Sequence, residues 1–201
     1  MKVELWEITR VPEIFIVRCA RVSRGKYGTN ELILLDDARD FIRKLIKKGH
    51  ESVLEHAWAT FYIEGISRVC LAQLTRHRIA SFTVESQRFV TPKETFVIPP
   101  SFEKPDDPSI KAMVDTYLET SKAVFENLLA SGIPKEDARF MLPQAITTSL
   151  VMTANFREWR HILKLRTAPD AQWEIRALCT EIGKILMEHA PSVFEDIMEE
   201  K

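Results

Sequence analysis

The hydrophobic period of this chain changes along its length, and those changes constrain the fold more than any other feature. Residues 57–66 (AWATFYIEGI) are aromatic and β-branched and read as a strand. Residues 145–155 (AITTSLVMTAN), with their Thr and Val, read as a second strand. Val3, Leu5 and Ile8 alternate roughly and Ile14 to Val17 form a short apolar run, so at least one of these is expected to be a strand. Most of the remainder follows helical spacing. Asp36 and Asp37 precede Ala38, Phe41, Ile42, Leu45 and Ile46, and Lys44, Lys47, Lys48 and Gly49 close the segment, which is helix punctuation. Val69 to Leu74 read as a helix leading into Arg76. Ile110, Met113, Val114, Tyr117, Leu118, Val124, Phe125, Leu128 and Leu129 hold one face of a long helix that ends at Gly132-Ile133-Pro134. A further helix is expected from near Pro134, and two more over 156–165 and 171–189, the last closed by Pro191. Helix dominates a minor sheet, so the expected class is α+β.

Between the two halves lies Pro92 to Pro108, with five prolines (Pro92, Pro99, Pro100, Pro105, Pro108) and the acidic pair Asp106-Asp107. Proline fixes φ and removes a donor, so an extended surface loop is expected here. Neither half looks self-sufficient, and the 201 residues are read as one domain. No apolar run approaches the roughly 20 residues a membrane span needs. The opening MKVELWEITR carries acids where a signal peptide needs apolar residues. Cys19, Cys70 and Cys179 are an odd set without CxxC spacing, which argues against a disulfide framework or a cysteine zinc site and for a reducing cytoplasm. With 28 Lys and Arg against 29 Asp and Glu, the chain is not a polycation built to coat nucleic acid, and neither a nucleic-acid nor a membrane partner is expected.

The densest chemical anomaly is RHRIASFTVESQR, residues 76–88. From 67 to 93 there are five Lys or Arg against one acid, Glu85, in an otherwise balanced chain. Such charges repel unless an anion satisfies them, and arginine forks with serine hydroxyls match phosphate. The plainer alternative is an exposed helix end whose arginines pair with scattered carboxylates. Phe82 and Phe89 interleave with the arginines, which leaves a single-stranded nucleic-acid module as a rival reading.

HESVLEH, residues 50–56, invites a metal reading, but His50 and His56 are six apart, roughly 240° around a helix, and position 52 is serine. The spacing therefore argues against a metal, and the plainer reading is a capped helix start with hydrogen-bonding histidines. In residues 155–176, Arg157, His161 and Lys164 share one helical face while Phe156, Trp159, Ile162 and Leu163 share another. The aromatics and cations could bind a flat anion, or the segment is an ordinary amphipathic helix. Arg139 beside Met141-Leu142-Pro143 is either an isolated ligand cation or a solvated charge. The three cysteines sit among apolar neighbours and read as core, Ser86 lacks a GxSxG elbow, and neither GxGxxG nor GxxxxGK[ST] occurs.

Arg76-His77-Arg78 followed by seven residues and Ser86 resembles the signature of the flavin-dependent thymidylate synthases. ARVS (Ala20 to Ser23), HESVLEH, Ala72-Gln73, Ala138 to Pro143 and Leu165 to Arg176 match that family in order and spacing, so the resemblance covers nearly the full length. It implies reductive methylation of dUMP to dTMP without an enzyme nucleophile, with methylenetetrahydrofolate as carbon donor and NADPH reducing through FAD. It also implies a homotetramer with shared active sites, each subunit a small, mostly antiparallel sheet flanked by helices. Carried over residue by residue, Arg166 matches the catalytic arginine that polarises the uracil ring. Gln73, Arg76, Glu85, Ser86, Gln87, Arg88, Arg139 and Arg166 match dUMP-binding positions. Ser52, Arg76, His77, Arg78, Asn155, Arg157 and His161 match flavin positions, with His50 and Ser23 as looser correspondences; no metal is implied. The chain departs from many members in having Thr83-Val84 in place of Asn-Glu or a Gln, and Phe89 in place of tyrosine.

Overall fold

A computed structural model describes residues 1–26, 32–91, 95–102 and 107–199. In chain order the elements are β1 (Lys2–Ile8), α1 (Pro12–Val22), α2 (Leu35–Lys47), a 3-10 turn (Glu51–His56), β2 (Trp58–Ser67), α3 (Arg68–Leu74) and β3 (Ser81–Val84). Then follow a 3-10 turn (Pro100–Phe102), α4 (Pro108–Ala130), α5 (Lys135–Ala138), a 3-10 turn (Arg139–Met141), β4 (Thr147–Asn155), α6 (Phe156–Arg166), α7 (Trp173–His189) and α8 (Pro191–Met198). The four strands form one antiparallel sheet in the order β1-β2-β4-β3, so the class is α+β as expected. By contact, the chain resolves into two compact units built from interleaved segments: Met1–Ile63, Leu74–Thr83 and Val151–Lys201 form one, Glu64–Gln73 and Val84–Leu150 the other.

In the first unit, β2 alternates as its sequence requires: Ala59, Phe61 and Ile63 are fully buried. β4 contributes Met152 and Ala154 to the same core. Phe156, Trp159, Ile162 and Leu163 of α6 are all fully buried. Trp159 meets Phe61 edge to face, with centroids 5.3 Å apart, and donates its indole N–H to the Ala59 carbonyl at 3.2 Å. The aromatics considered for ligand stacking are therefore core residues, because Trp159 is buried against Phe61 and Phe156 against Phe194, which leaves neither ring a face for a ligand. On α2, Ala38 and Ile42 face inward, with acids in the first turn and lysines in the last. Two buried polar clusters lock the helices. Arg160 donates to both oxygens of Asp196 at 2.6 and 2.7 Å and to the Val193 carbonyl. The Glu13 carboxylate accepts from the N–H and hydroxyl of Ser192 at 3.1 and 2.6 Å and from Arg39 at 3.0 Å. Gly183 on α7 faces the end of the Met198 side chain, which would have to shift to admit a Cβ there.

In the second unit, Asp107 caps α4 by accepting from the Ser109 N–H at 2.9 Å, and Phe125 is its fully buried anchor. Ser121, also buried, donates to the Met141 carbonyl at 2.7 Å. Much of the apolar stripe expected to pack is exposed instead, including Met113 and Tyr117.

Several expectations are corrected. Ile14 to Val17 lie in α1, whose first residue is Pro12, so β1 is the strand of that pair. Pro191 does not merely close α7; it opens α8, because a proline at the first helical position gives up an N–H that has no helical partner anyway. The helix near Pro134 is a single turn continued as a 3-10 turn. HESVLEH forms a 3-10 turn without a side-chain cap. The proline-rich segment is not plain loop, since Phe96 bridges Ile146 and the Val97 N–H donates to the Ala145 carbonyl at 2.9 Å. Pro92, Pro105 and Asp106 lie outside the described residues. Cys70 and Cys179 are buried, whereas Cys19 is half-buried and only partial burial raises its thiol pKa. Among the described residues, no helix is long and apolar enough to cross a membrane.

Candidate active site

Asn155 ends β4 and caps α6, its side chain accepting from the Glu158 N–H at 2.9 Å. The cap sets the rotation of α6: with the apolar face buried, Arg157, His161 and Lys164 point outward, as their spacing predicts. These three and Asn155 line a cavity of about 600 Å³ in the first unit, joined by Ile79, Arg160 and the carboxylates of Glu51, Glu55 and Glu158. Arg157 is held there by Glu55 at 2.6 Å. Ser52 lies exposed between Glu51 and Glu55 in the sequence without itself lining the cavity. Arg76 and Arg78 are exposed in the segment following α3, as are His50 and Ser23 on other elements.

His77, between those arginines, is 4% exposed. Its backbone N–H closes α3 on the Leu74 carbonyl at 3.0 Å, and its Nε2 accepts the Nε–H of Arg166 at 3.0 Å. Nδ1 lies 3.6 Å from a carboxylate oxygen of Glu158, and the His161 ring packs edge to face at 5.8 Å. Burial, then Arg166, His161 and Arg76, depress the His77 pKa to about 4, so the ring is neutral at pH 7. Burial also raises the Glu158 carboxyl above its ordinary range. Arg166 thus stands at the end of α6 with its guanidinium oriented from inside the protein.

The second unit holds its own polar cavity, of about 350 Å³, lined by Arg68, Gln87, Arg139, Phe140, Leu142 and Gln144 among others. Burial and the neighbouring Arg139 charge lower the Arg68 pKa. Gln87 is buried, and its amide nitrogen has no hydrogen-bond partner among the described residues. Two like charges and an unanswered donor form a cavity suited to an oxyanion. Next in sequence, the Arg88 N–H donates to the Ser86 hydroxyl at 3.3 Å, and the Arg88 side chain pairs with Glu136 at 2.7 Å. Gln73 and Glu85 are half-buried and do not line the cavity.

The structure therefore brings Asn155, Arg157 and His161 into one cavity, couples His77 to Arg166, and places Gln87 with Arg139 in another. Arg68 and Glu158 were not among the sequence candidates. Arg68 lay within the counted basic stretch but outside the signature, and the closeness of Glu158 to His77 depends on a long-range contact. Among the described residues no group of three His, Cys, Asp or Glu side chains is arranged to hold a metal.

A small antiparallel sheet with helices, an arginine backed by a buried histidine and a separate oxyanion cavity together define a candidate anion-handling enzyme. Residues 4–192 match the model of the family described as thymidylate synthase complementing protein. The flavin-dependent thymidylate synthase of Geobacter sulfurreducens is 39% identical, the match covering 98% of this chain and 86% of that one. That of Pyrococcus abyssi is 44% identical, covering 88% and 75%. The crystal structure of a UMP/dUMP methylase, PolB, from Streptomyces cacaoi bound with 5-Br dUMP superposes with a TM-score of 0.86 at 28% identity, covering 96% of this chain and 93% of that one. The chain belongs to the flavin-dependent thymidylate synthase family.

Proposed function

We propose that this protein acts as a single catalytic domain that reductively methylates dUMP to dTMP, with FAD as its flavin, NADPH as reductant and methylenetetrahydrofolate as carbon donor. The observation that carries the reading is the cavity in which Arg68 and Arg139 share space with the unanswered amide of Gln87. A nucleoside monophosphate brings close to two negative charges, which relieve the repulsion between the arginines and accept from the amide. Ser86 and Arg88 add a hydroxyl and a third guanidinium to the same binding set.

The cavity lined by Asn155, Arg157, His161 and Lys164, with Glu51, Glu55 and Glu158 also in its wall, fits a long diphosphate-bearing cofactor in size, and Arg157 and Lys164 offer cations to its diphosphate. Arg76, Arg78 and Ser52 complete the proposed flavin-binding set. When bound, the flavin supplies the hydride for reduction of the uracil ring. Arg166 stabilises the negative charge that develops on that ring, and as a guanidinium it keeps its own proton throughout. No residue of the chain need act as a nucleophile, in keeping with the apolar neighbours of the cysteines.

The exposure of Met113, Tyr117, Phe89 and Phe140 supports self-association, which we take to be a homotetramer with shared active sites. Three free cysteines are in keeping with a cytoplasmic location. The test is release of the hydrogen on uracil carbon 5 and formation of dTMP when purified protein receives FAD, NADPH, the folate and dUMP, with UMP run in parallel. Failure to bind flavin or to turn over either nucleotide would overturn the reading.

A further inference from the structure

His77 lies within the Arg-His-Arg run, yet both of its ring nitrogens face protein groups. Nε2 accepts from Arg166 at 3.0 Å, and Nδ1 is 3.6 Å from Glu158. A guanidinium N–H can only donate, so Nε2 carries no proton and the neutral ring bears its proton on Nδ1, on the side of the buried carboxylate. Glu158 and Arg166 belong to α6, eight residues and about 12 Å of helix rise apart. The imidazole thus bridges two turns of the helix that carries the proposed catalytic arginine. Its own backbone is pinned on both sides: the His77 N–H bonds Leu74, and the Ala80 N–H donates to the His77 carbonyl at 3.3 Å.

We propose that His77 is a positioning residue for Arg166: its unprotonated Nε2 fixes the rotation of the guanidinium plane, and the Glu158 carboxylate, 3.6 Å from Nδ1, favours the tautomer that allows this. The proposal rests on the reading that Arg166 acts on the uracil ring. An arginine side chain has several rotatable bonds, each added hydrogen bond narrows its rotamers, and misplacement by about 1 Å can cost about 100-fold in rate. Protonating His77 would remove the acceptor and set two cations against each other. The charged or titratable groups that face the ring are Arg166, His161 and Arg76, which oppose a proton, and Glu158, which favours one. Burial sides with the cations, so the neutral acceptor persists through the working range of pH.

The experiment compares His77→Leu and His77→Gln, each alone and with Arg166→Ala, and reads the imidazole tautomer of the unsubstituted protein by nitrogen-15 NMR. Expected are an Nδ1–H tautomer at pH 7, a fall of about 10- to 100-fold in kcat for His77→Leu with a smaller change in KM for dUMP, and substantial rescue in His77→Gln, whose amide oxygen can accept from Arg166. In the Arg166→Ala background, His77→Leu should add no further loss. An Nε2–H or cationic ring, equal losses in the two His77 variants, or additive losses in the double variant would overturn the proposal. If His77→Leu fails to fold, the tautomer and His77→Gln decide it. Loss of turnover in Arg166→Ala with none in His77→Leu overturns this inference alone, whereas full turnover in Arg166→Ala overturns the reading beneath it.

Discussion

Arg88 donates its Nε–H to Glu136 at 2.7 Å, so a guanidinium expected to meet the substrate phosphate is held by a carboxylate of its own unit. Exposed pairs of this kind contribute about 0–1 kcal/mol, whereas a bidentate bond to phosphate is considerably stronger, so the geometry favours an exchange of partners on binding. Glu136→Gln should tighten dUMP about two- to fivefold by removing the competitor, and Arg88→Ala should weaken it about tenfold. Titration calorimetry at low salt checks both; weaker binding in Glu136→Gln would reject the exchange.

Gln87 offers a contrast between stability and binding. Its buried amide nitrogen lacks a partner among the described residues, and replacing such a group with an apolar one of similar size is close to neutral or stabilising. Gln87→Leu should hold or raise the Tm of the ligand-free protein while weakening dUMP about tenfold. A scan with and without dUMP separates the effects, and a clear fall in ligand-free Tm would show that the amide is satisfied.

Arg166→Ala removes the group proposed to stabilise charge on the uracil ring. Turnover should fall about 100- to 1,000-fold, the size seen when one charge-stabilising donor is lost, with flavin content and circular dichroism near those of the unsubstituted protein. Single-turnover assays with saturating dUMP are the appropriate measurement, because they separate chemistry from binding.

The His77 ring gives stability a pH dependence of defined sign. Its folded pKa, about 4, lies below the ordinary value of 6.5, so the unfolded chain binds the proton more readily. Its contribution is therefore fully present above about pH 6.5 and is lost as pH falls through about 4, on the order of 3 kcal/mol in all. Denaturant unfolding from pH 7 to 4 should show this loss, and His77→Gln should flatten that part of the profile.

Arg160 is 1% exposed and is held by Asp196 and the Val193 carbonyl, with the Glu51 carboxylate farther off at 3.5 Å. Asp196→Ala should cost about 3–5 kcal/mol by leaving a buried charge with only the more distant Glu51 as its carboxylate, whereas a joint exchange of Arg160→Met and Asp196→Leu should cost much less. Urea midpoints of the two variants provide the comparison.

Much of this architecture is legible in the residues themselves. The acids and lysines at the ends of α2, the long apolar stripe of α4 and the alternation in β2 and β4 each encode their element locally. β3 is only four residues long and lies inside a motif read for its charges; its neighbour in the sheet is β4, reached through bonds such as the Glu85 N–H to the Ser149 carbonyl at 2.8 Å. No local pattern announces such pairing. The cationic face of α6 follows from period alone, and so was readable. The roles of Arg68 beside Arg139 and of Glu158 beside His77 arise from side chains that are neighbours only after folding, which explains why the motif named His77 but not the groups that govern it.

Asn155 is at once the last residue of β4 and the cap of α6, with no connecting loop between strand and helix. One residue inserted there would turn the helix by about 100° and move Arg157, His161 and Lys164 off their cavity while dragging Trp159 out of the core. Length variation among descendants of this chain must therefore fall elsewhere, and the seam between strand and helix can change in residue type but not in residue number.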